Sequence, residues 1–161
     1  MLRLAIEPPQ YARPGVPLWP PVSCGLSSRT SIYSELAQTW AVATLVHYSG
    51  EVLYDQLGGK VADSAHPLPE SGHHSSSSSS NHSASRDRAY FFFPDLVINE
   101  PGRYRIRVSL MQMDYSIEGQ PEGVVRVLES IDSRSVTVEE GVVYHSRPSG
   151  FQGASKSEIN C

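Results

Sequence analysis

Cysteine is almost missing from this chain: two occur in 161 residues, Cys24 and Cys161, the second at the last position. Nothing in their spacing marks a disulfide framework or a zinc site, so a reduced intracellular chain is the expectation. There is no run of about eighteen apolar residues, so no transmembrane helix is expected. The opening stretch, MLRLAIEPP, has one basic residue and few apolar ones, too little for a signal peptide. Asn81-His82-Ser83 reads as a glycosylation sequon, and without a secretion signal it reads as chance. Positive charge is also in short supply: 13 Lys and Arg stand against 17 Asp and Glu, for a net charge of −4. With a pI near 5.8, the chain lacks the overall electrostatic footprint of a dedicated nucleic-acid binder, although a local basic patch stays open.

The motifs of catalysis are missing as well. Gly58-Gly59 is a turn with no Lys-Ser/Thr after it, hence no phosphate loop. Ser149 in RPSGFQG lacks the strand and helix of a nucleophile elbow. Cys24 with His47 makes a nucleophile and base only on paper. A small buried thiol and a histidine on the outer face of a strand are the readings that context favours. His73, His74 and His82 flank six consecutive serines, Ser75 to Ser80, and a polar tract of this kind offers neither the fixed geometry nor the supporting hydrogen bonds of a metal site. No catalytic residue, cofactor, metal or small-molecule substrate is expected.

What is present is β-structure. The length suits one domain, residues 1–161, with a real core. Twelve Pro and twelve Gly favour a loop-rich β protein. The most informative stretch is Tyr90 to Leu110, YFFFPDLVINEPGRYRIRVSL, two strand-like runs that read as an antiparallel pair joined through Asn99-Glu100-Pro101-Gly102. After that turn, Tyr104, Ile106, Val108 and Leu110 point one way and Arg103, Arg105, Arg107 and Ser109 the other, a strand lying on a core with its back in water. The arginines stand about 7 Å apart along that back. They suit phosphates or an acidic partner, or else form an ordinary solvated face balanced by nearby carboxylates.

Elsewhere Leu2 to Ile6 alternates as a first strand, stopped by Pro8 and Pro9. Tyr11 to Pro21 is extended and proline-rich, with Trp19 expected to anchor it to the core. Glu35 to Tyr48 reads as a strand, because Trp40, Val42, Thr44 and Val46 alternate, and Val52 to Leu57 is placed to pair back on it. Residues 66–88 break the composition and read as a flexible Ser/His-rich insertion. Val124 to Leu128, Ser135 to Val138 and Gly141 to Tyr144 are further short strands. This spacing points to an all-β sandwich.

YFFFPDLVINEPGRYRIRVSLMQM resembles the central signature of the fungal velvet family of developmental regulators, with Phe93, Pro94, Asp95, Leu96, Gly102, Tyr104, Arg105 and Leu110 at the family's spacing. LAIEPPQYARPG resembles the family's first strand and the element after it. Leu57 to Ala65 is similar to the stretch before its variable insertion, and VVYHSRPSGFQGASKSE to its closing strand. The resemblance implies an immunoglobulin-like sandwich similar to the Rel homology domain. It also implies a nuclear and cytoplasmic regulator of sporulation and secondary metabolism that forms homo- or heterodimers with velvet proteins, several of which bind promoter DNA. The family's DNA-contacting cluster of basic residues follows the first strand, where this chain reads GVPLWPPV. Losing several phosphate contacts weakens binding by orders of magnitude at physiological salt. Arg13, Arg147 and Lys156, at or near matching motifs, are the candidate DNA contacts that remain. Two readings stay open: a dimeric regulator that touches DNA, and an interaction module that leaves DNA to its partner. An unrelated immunoglobulin-like interaction module without DNA binding is the third.

Overall fold

The structure, a computed structural model, describes residues 1–27, 33–68 and 87–140. In chain order the strands are β1 (Leu2–Ile6), β2 (Tyr11–Ala12), β3 (Val22–Ser27), β4 (Thr39–His47), β5 (Val52–Leu53), β6 (Leu57–Gly58), β7 (Ala62–Ser64), β8 (His66–Pro67), β9 (Asp87–Phe93), β10 (Val97–Ile98), β11 (Gly102–Asp114), β12 (Val124–Asp132) and β13 (Val136–Val138). A 3-10 turn, Tyr33–Gln38, leads into β4. The first part of the expected Glu35–Tyr48 strand is therefore a turn, in keeping with the helix-forming Glu-Leu-Ala-Gln at its start. No helix among the described residues is long and apolar enough to cross a membrane.

Two sheets enclose the core. One runs β1-β3-β9-β8. The other follows the path β2-β13-β11-β4-β5, with β12 also pairing β11 and β7 also pairing β4. The long β11 is its spine: Arg107 to Asp114 pair with β12 on one edge, Gly102 to Tyr104 with β13 on the same edge, and Tyr104 to Gln112 with β4 on the other. β10 forms a small separate ladder with β6.

Alternation decides what enters the core. On the smaller sheet, Val22, Cys24 and Leu26 pair with Phe93, Phe91 and Ala89, and all six are buried. On the larger sheet, Tyr104, Ile106, Val108 and Leu110 are buried, as the sequence pattern predicts. Complete burial of Phe91 and Phe93 contributes about 2–3 kcal/mol each.

The Tyr90–Leu110 segment is all strand and turn, but it is not a hairpin. β9 belongs to the smaller sheet and β11 to the larger, so Pro94 to Pro101 carries the chain from one layer of the sandwich to the other. Each run is apolar on the face it turns to the core, and such runs pack across a sandwich as readily as they pair. Trp19 is also corrected: it is 78% exposed, and its neighbour Leu18, 2% exposed, is the anchor. Leu18 N–H donates to the Leu96 carbonyl at 2.8 Å, and Gly15 N–H to the Ile98 carbonyl at 3.0 Å, pinning the proline segment over β10. At the edges of the expected 66–88 insertion, His66–Pro67 pairs with β9 and Asp87–Arg88 is strand. Residues 69–86, with the serine tract, and the expected Gly141–Tyr144 strand lie outside the described residues.

Candidate interaction surfaces

Most of the signature residues serve the fold. Phe93, Leu96 and Leu110 are buried. Pro94 and Asp95 form the turn that ends β9. The Asp95 side chain accepts the Lys60 N–H at 2.8 Å. Its carbonyl presses on Gly59, where a Cβ would sit 2.1 Å from the oxygen and φ is +91°. Only glycine fits there. Tyr104 Oη donates to the Glu100 carbonyl at 2.8 Å, with the Pro101 carbonyl at 3.2 Å, and lies over Gly102. A tyrosine at the start of a strand that reaches back to the backbone just upstream is a corner-tying device of immunoglobulin-like sandwiches. Burial, helped by the Glu100 charge, raises its phenol.

A second tie holds the β7–β8 corner to β9. Asp63 is buried and accepts from Phe92 N–H at 2.8 Å, from Lys60 Nζ at 2.9 Å and from His66 Nε2 at 3.0 Å. Burial alone pushes its carboxyl up, but these hydrogen bonds outweigh that and hold it below the usual carboxylate value. The His66 ring stacks on Tyr90 at 4.9 Å.

Pro94 and Asp95 are exposed in their turn, and Arg105 is the signature residue that faces outward from a strand, on the back of the larger sheet. Register places the side chains of that face in rows: Tyr11, Thr137 and Arg103; Arg105, Val46 and Val52; Asp132, Arg107 and Thr44; Ser130, Ser109 and Val42; and Val127, Met111 and Trp40, with Met113 and Val125 beyond. The lower rows are aromatic and cationic. Tyr11 and Tyr48 are well exposed, and the Arg103 guanidinium lies 6.0 Å from the Tyr48 ring. The arginine row is not uniformly free. Arg107 donates to both Asp132 oxygens, at 2.7 and 3.1 Å, which raises its own guanidinium and lowers the Asp132 carboxyl. Arg105 reaches the Ser133 carbonyl at 3.4 Å. The upper rows are apolar, with Val127 59% exposed.

Arg13 is exposed on the turn after β2. Among the described residues its neighbours just after β13 are acidic. Glu139 N–H donates to the Ala12 carbonyl at 3.0 Å, so the parallel register sets Glu139 beside Arg13, with exposed Glu140 next in the chain. Val16 and Trp19 stand exposed in the same loop. Arg147 and Lys156 lie outside the described residues. Cys24 is fully buried and its thiol is pushed up to about 12, mainly by burial and secondarily by the charge of Glu7. His47 sits opposite Tyr104 and shares its face, with the two rings edge-on at 5.8 Å. It therefore closes the rim of the core and is not on the outer face that strand context suggested. Cys24 and His47 belong to different sheets. Among the described residues no group of His, Cys, Asp and Glu could hold a metal.

Sequence reasoning missed the exposed aromatics Tyr11 and Tyr48, and the apolar upper rows. The alternation of β4 carried a signal for the latter: its set Trp40, Val42 and Thr44 turns outward while Ala41, Ala43 and Leu45 take the core side, and Met111 and Met113 continue the outward parity of the β11 arginines.

These features define an all-β sandwich that keeps its chemistry on a sheet face and a loop. Compared with known families, the chain matches the Velvet factor over residues 48–141. It belongs to the velvet family, whose members are regulators. No curated protein matches the chain.

Proposed function

We propose that this velvet-family protein is a nuclear regulator of fungal development, acting on sporulation and secondary metabolism. It moves between cytoplasm and nucleus and works as half of a pair with another velvet protein, and the partner supplies the main contact with promoter DNA. The observation that carries this reading is the setting of Arg13. The loop that would meet DNA offers one arginine beside Glu139 and Glu140, with Val16 and Trp19 exposed around it. One cation beside carboxylates gives little counterion release, the main source of affinity for a duplex. Exposed tyrosine, tryptophan and arginine are instead the residues that carry protein–protein interfaces.

The test is a gel-shift titration of the purified chain, alone and with a basic velvet partner, at two salt concentrations. The expected result is a salt-sensitive shift only when both proteins are present. A salt-sensitive shift by this chain alone would assign the contact to its own residues. No shift in either state would leave an interaction module without DNA.

A further inference from the structure

We infer that the back of the larger sheet is a docking face for an acidic, apolar-rich segment of another protein, separate from the velvet pairing proposed above. The face is graded along β11. Arg103 and Arg105 hold its lower end, with Tyr11 and Tyr48 exposed beside them. Met111 and Met113 hold its upper end, with Trp40 half-buried on β4 and Val125 and Val127 exposed on β12. From Arg103 to Met113 the strand runs about 34 Å. Protein interfaces are enriched in aromatic residues, methionine and arginine, and depleted of lysine and glutamate. The outward rows of this sheet hold all three favoured kinds and neither lysine nor glutamate.

Charge selects the occupant. Among the described residues Arg103 pairs with no carboxylate, and its guanidinium rests over the Tyr48 ring. Arg105 has a long bond to the Ser133 carbonyl and a lesser share of Asp132, which Arg107 holds with two bonds. The lower end therefore carries cations in excess, and a guanidinium fork takes a carboxylate through paired hydrogen bonds. A basic velvet partner would meet like charge there. The upper rows offer no cation, so a strand of nucleic acid laid along the face would leave half of its phosphates unmatched. They offer methionine and tryptophan, which pack on varied apolar side chains. The segment that fits has carboxylates toward one end and large apolar residues toward the other. The parts of this chain outside the described residues do not supply it, since Glu70 and Glu158 are their only acidic side chains.

The probe is a labelled synthetic peptide of about 22 residues, the length whose helix spans this face. It carries aspartate and glutamate in its first half and leucine and phenylalanine at helical spacing in its second. Fluorescence anisotropy follows its binding to the full-length chain. Two control peptides replace every carboxylate by lysine or every leucine and phenylalanine by serine, and a single-stranded oligonucleotide is the third control. The acidic peptide is expected to bind saturably and more weakly as salt rises, with each control about tenfold weaker or more. Arg103→Glu with Arg105→Glu is expected to weaken the peptide by about tenfold or more, and Met111→Ser with Val127→Ser by severalfold with the salt dependence kept. Thermal melts confirm that each variant is folded. No saturable binding of the acidic peptide below about 1 mM, or binding that the arginine reversals leave unchanged, would overturn the inference. Arginine-dependent binding of the oligonucleotide tighter than that of the peptide would overturn it by giving the face to nucleic acid. Loss of velvet-partner capture through the same reversals would overturn it by giving the face to the pairing itself.

Discussion

The two faces of β11 differ in what they are made of and in what they do. Its even-numbered residues from Tyr104 to Leu110 are buried against the opposite sheet. Its odd-numbered residues carry three arginines, a serine and two methionines on the back of the same strand. The inner face sets stability, because each side chain there fills space that nothing else can fill. The outer face is nearly free of that duty, so its composition is open to a partner. Mutations on the two faces are therefore expected to separate: inner-face changes unfold the domain, and outer-face changes alter what it binds.

The largest effect is expected at Tyr104. Tyr104→Asp removes the corner bond to the Glu100 carbonyl, empties a core position and buries a charge without a partner. The loss is about 4 kcal/mol or more, a large part of what a domain of this size holds in reserve. The expected outcome is an insoluble or molten chain by near-UV circular dichroism. A soluble variant with an unchanged melting temperature would place Tyr104 outside the core. Next comes Gly59→Ala. The new Cβ meets the Asp95 carbonyl, a backbone atom that cannot rotate away, at a φ that L-residues avoid. A drop of about 2–3 kcal/mol in chemical denaturation is expected.

How much of this is legible in the sequence depends on the range of the interaction. The alternation of β11 is local, and both its faces can be read from the residues alone. The register of β1 on β3 and the crossing of Pro94 to Pro101 are not local. YFFF and RYRIRV look like the arms of one hairpin because both are apolar at every second residue, and only the rest of the core decides that they belong to different layers. Trp19 departs from expectation for a related reason: Leu18 and Trp19 are both apolar, and the hydrogen bond from Leu18 to Leu96 chooses between them. The candidate surface is half legible. Arg103, Arg105 and Arg107 announce themselves, whereas the pairing of Arg107 with Asp132 spans 25 residues and has no local sign.

The Asp63 tie sharpens the comparison by adding pH. Its carboxyl titrates below the usual value in the folded state, so its contribution is fully present above the unfolded value of about 3.9 and is lost as pH falls through the lower folded value. Asp132, held down chiefly by the Arg107 hydrogen bond, adds in the same direction. Wild-type melting temperature is thus expected to fall on acidification from about pH 5 to pH 3. Asp63→Asn should be less stable at pH 7 by about 1–2 kcal/mol, through weakened bonds to Lys60, His66 and Phe92, and should show a shallower acid decline. An acid decline as steep as that of the wild type would mean that Asp63 is not held below its ordinary value.

The smallest effects are expected on the outer face, where Arg107 and Arg105 can be set against each other. Arg107 makes a two-pronged pair with Asp132, but both side chains are about one-third exposed, and exposed pairs contribute little. Arg107→Ala is therefore expected to lower stability by less than about 1 kcal/mol. Arg105 makes a long bond to the Ser133 carbonyl and a charge interaction with Asp132, weaker than that of Arg107, so Arg105→Ala should fall within about 0.5 kcal/mol of the wild type. If Arg105→Ala proved the more damaging of the two, the outer face would be part of the fold and not a surface held for a partner. A near-neutral melt with weaker capture of a velvet partner would instead put Arg105, the outward residue of the signature, in the interface.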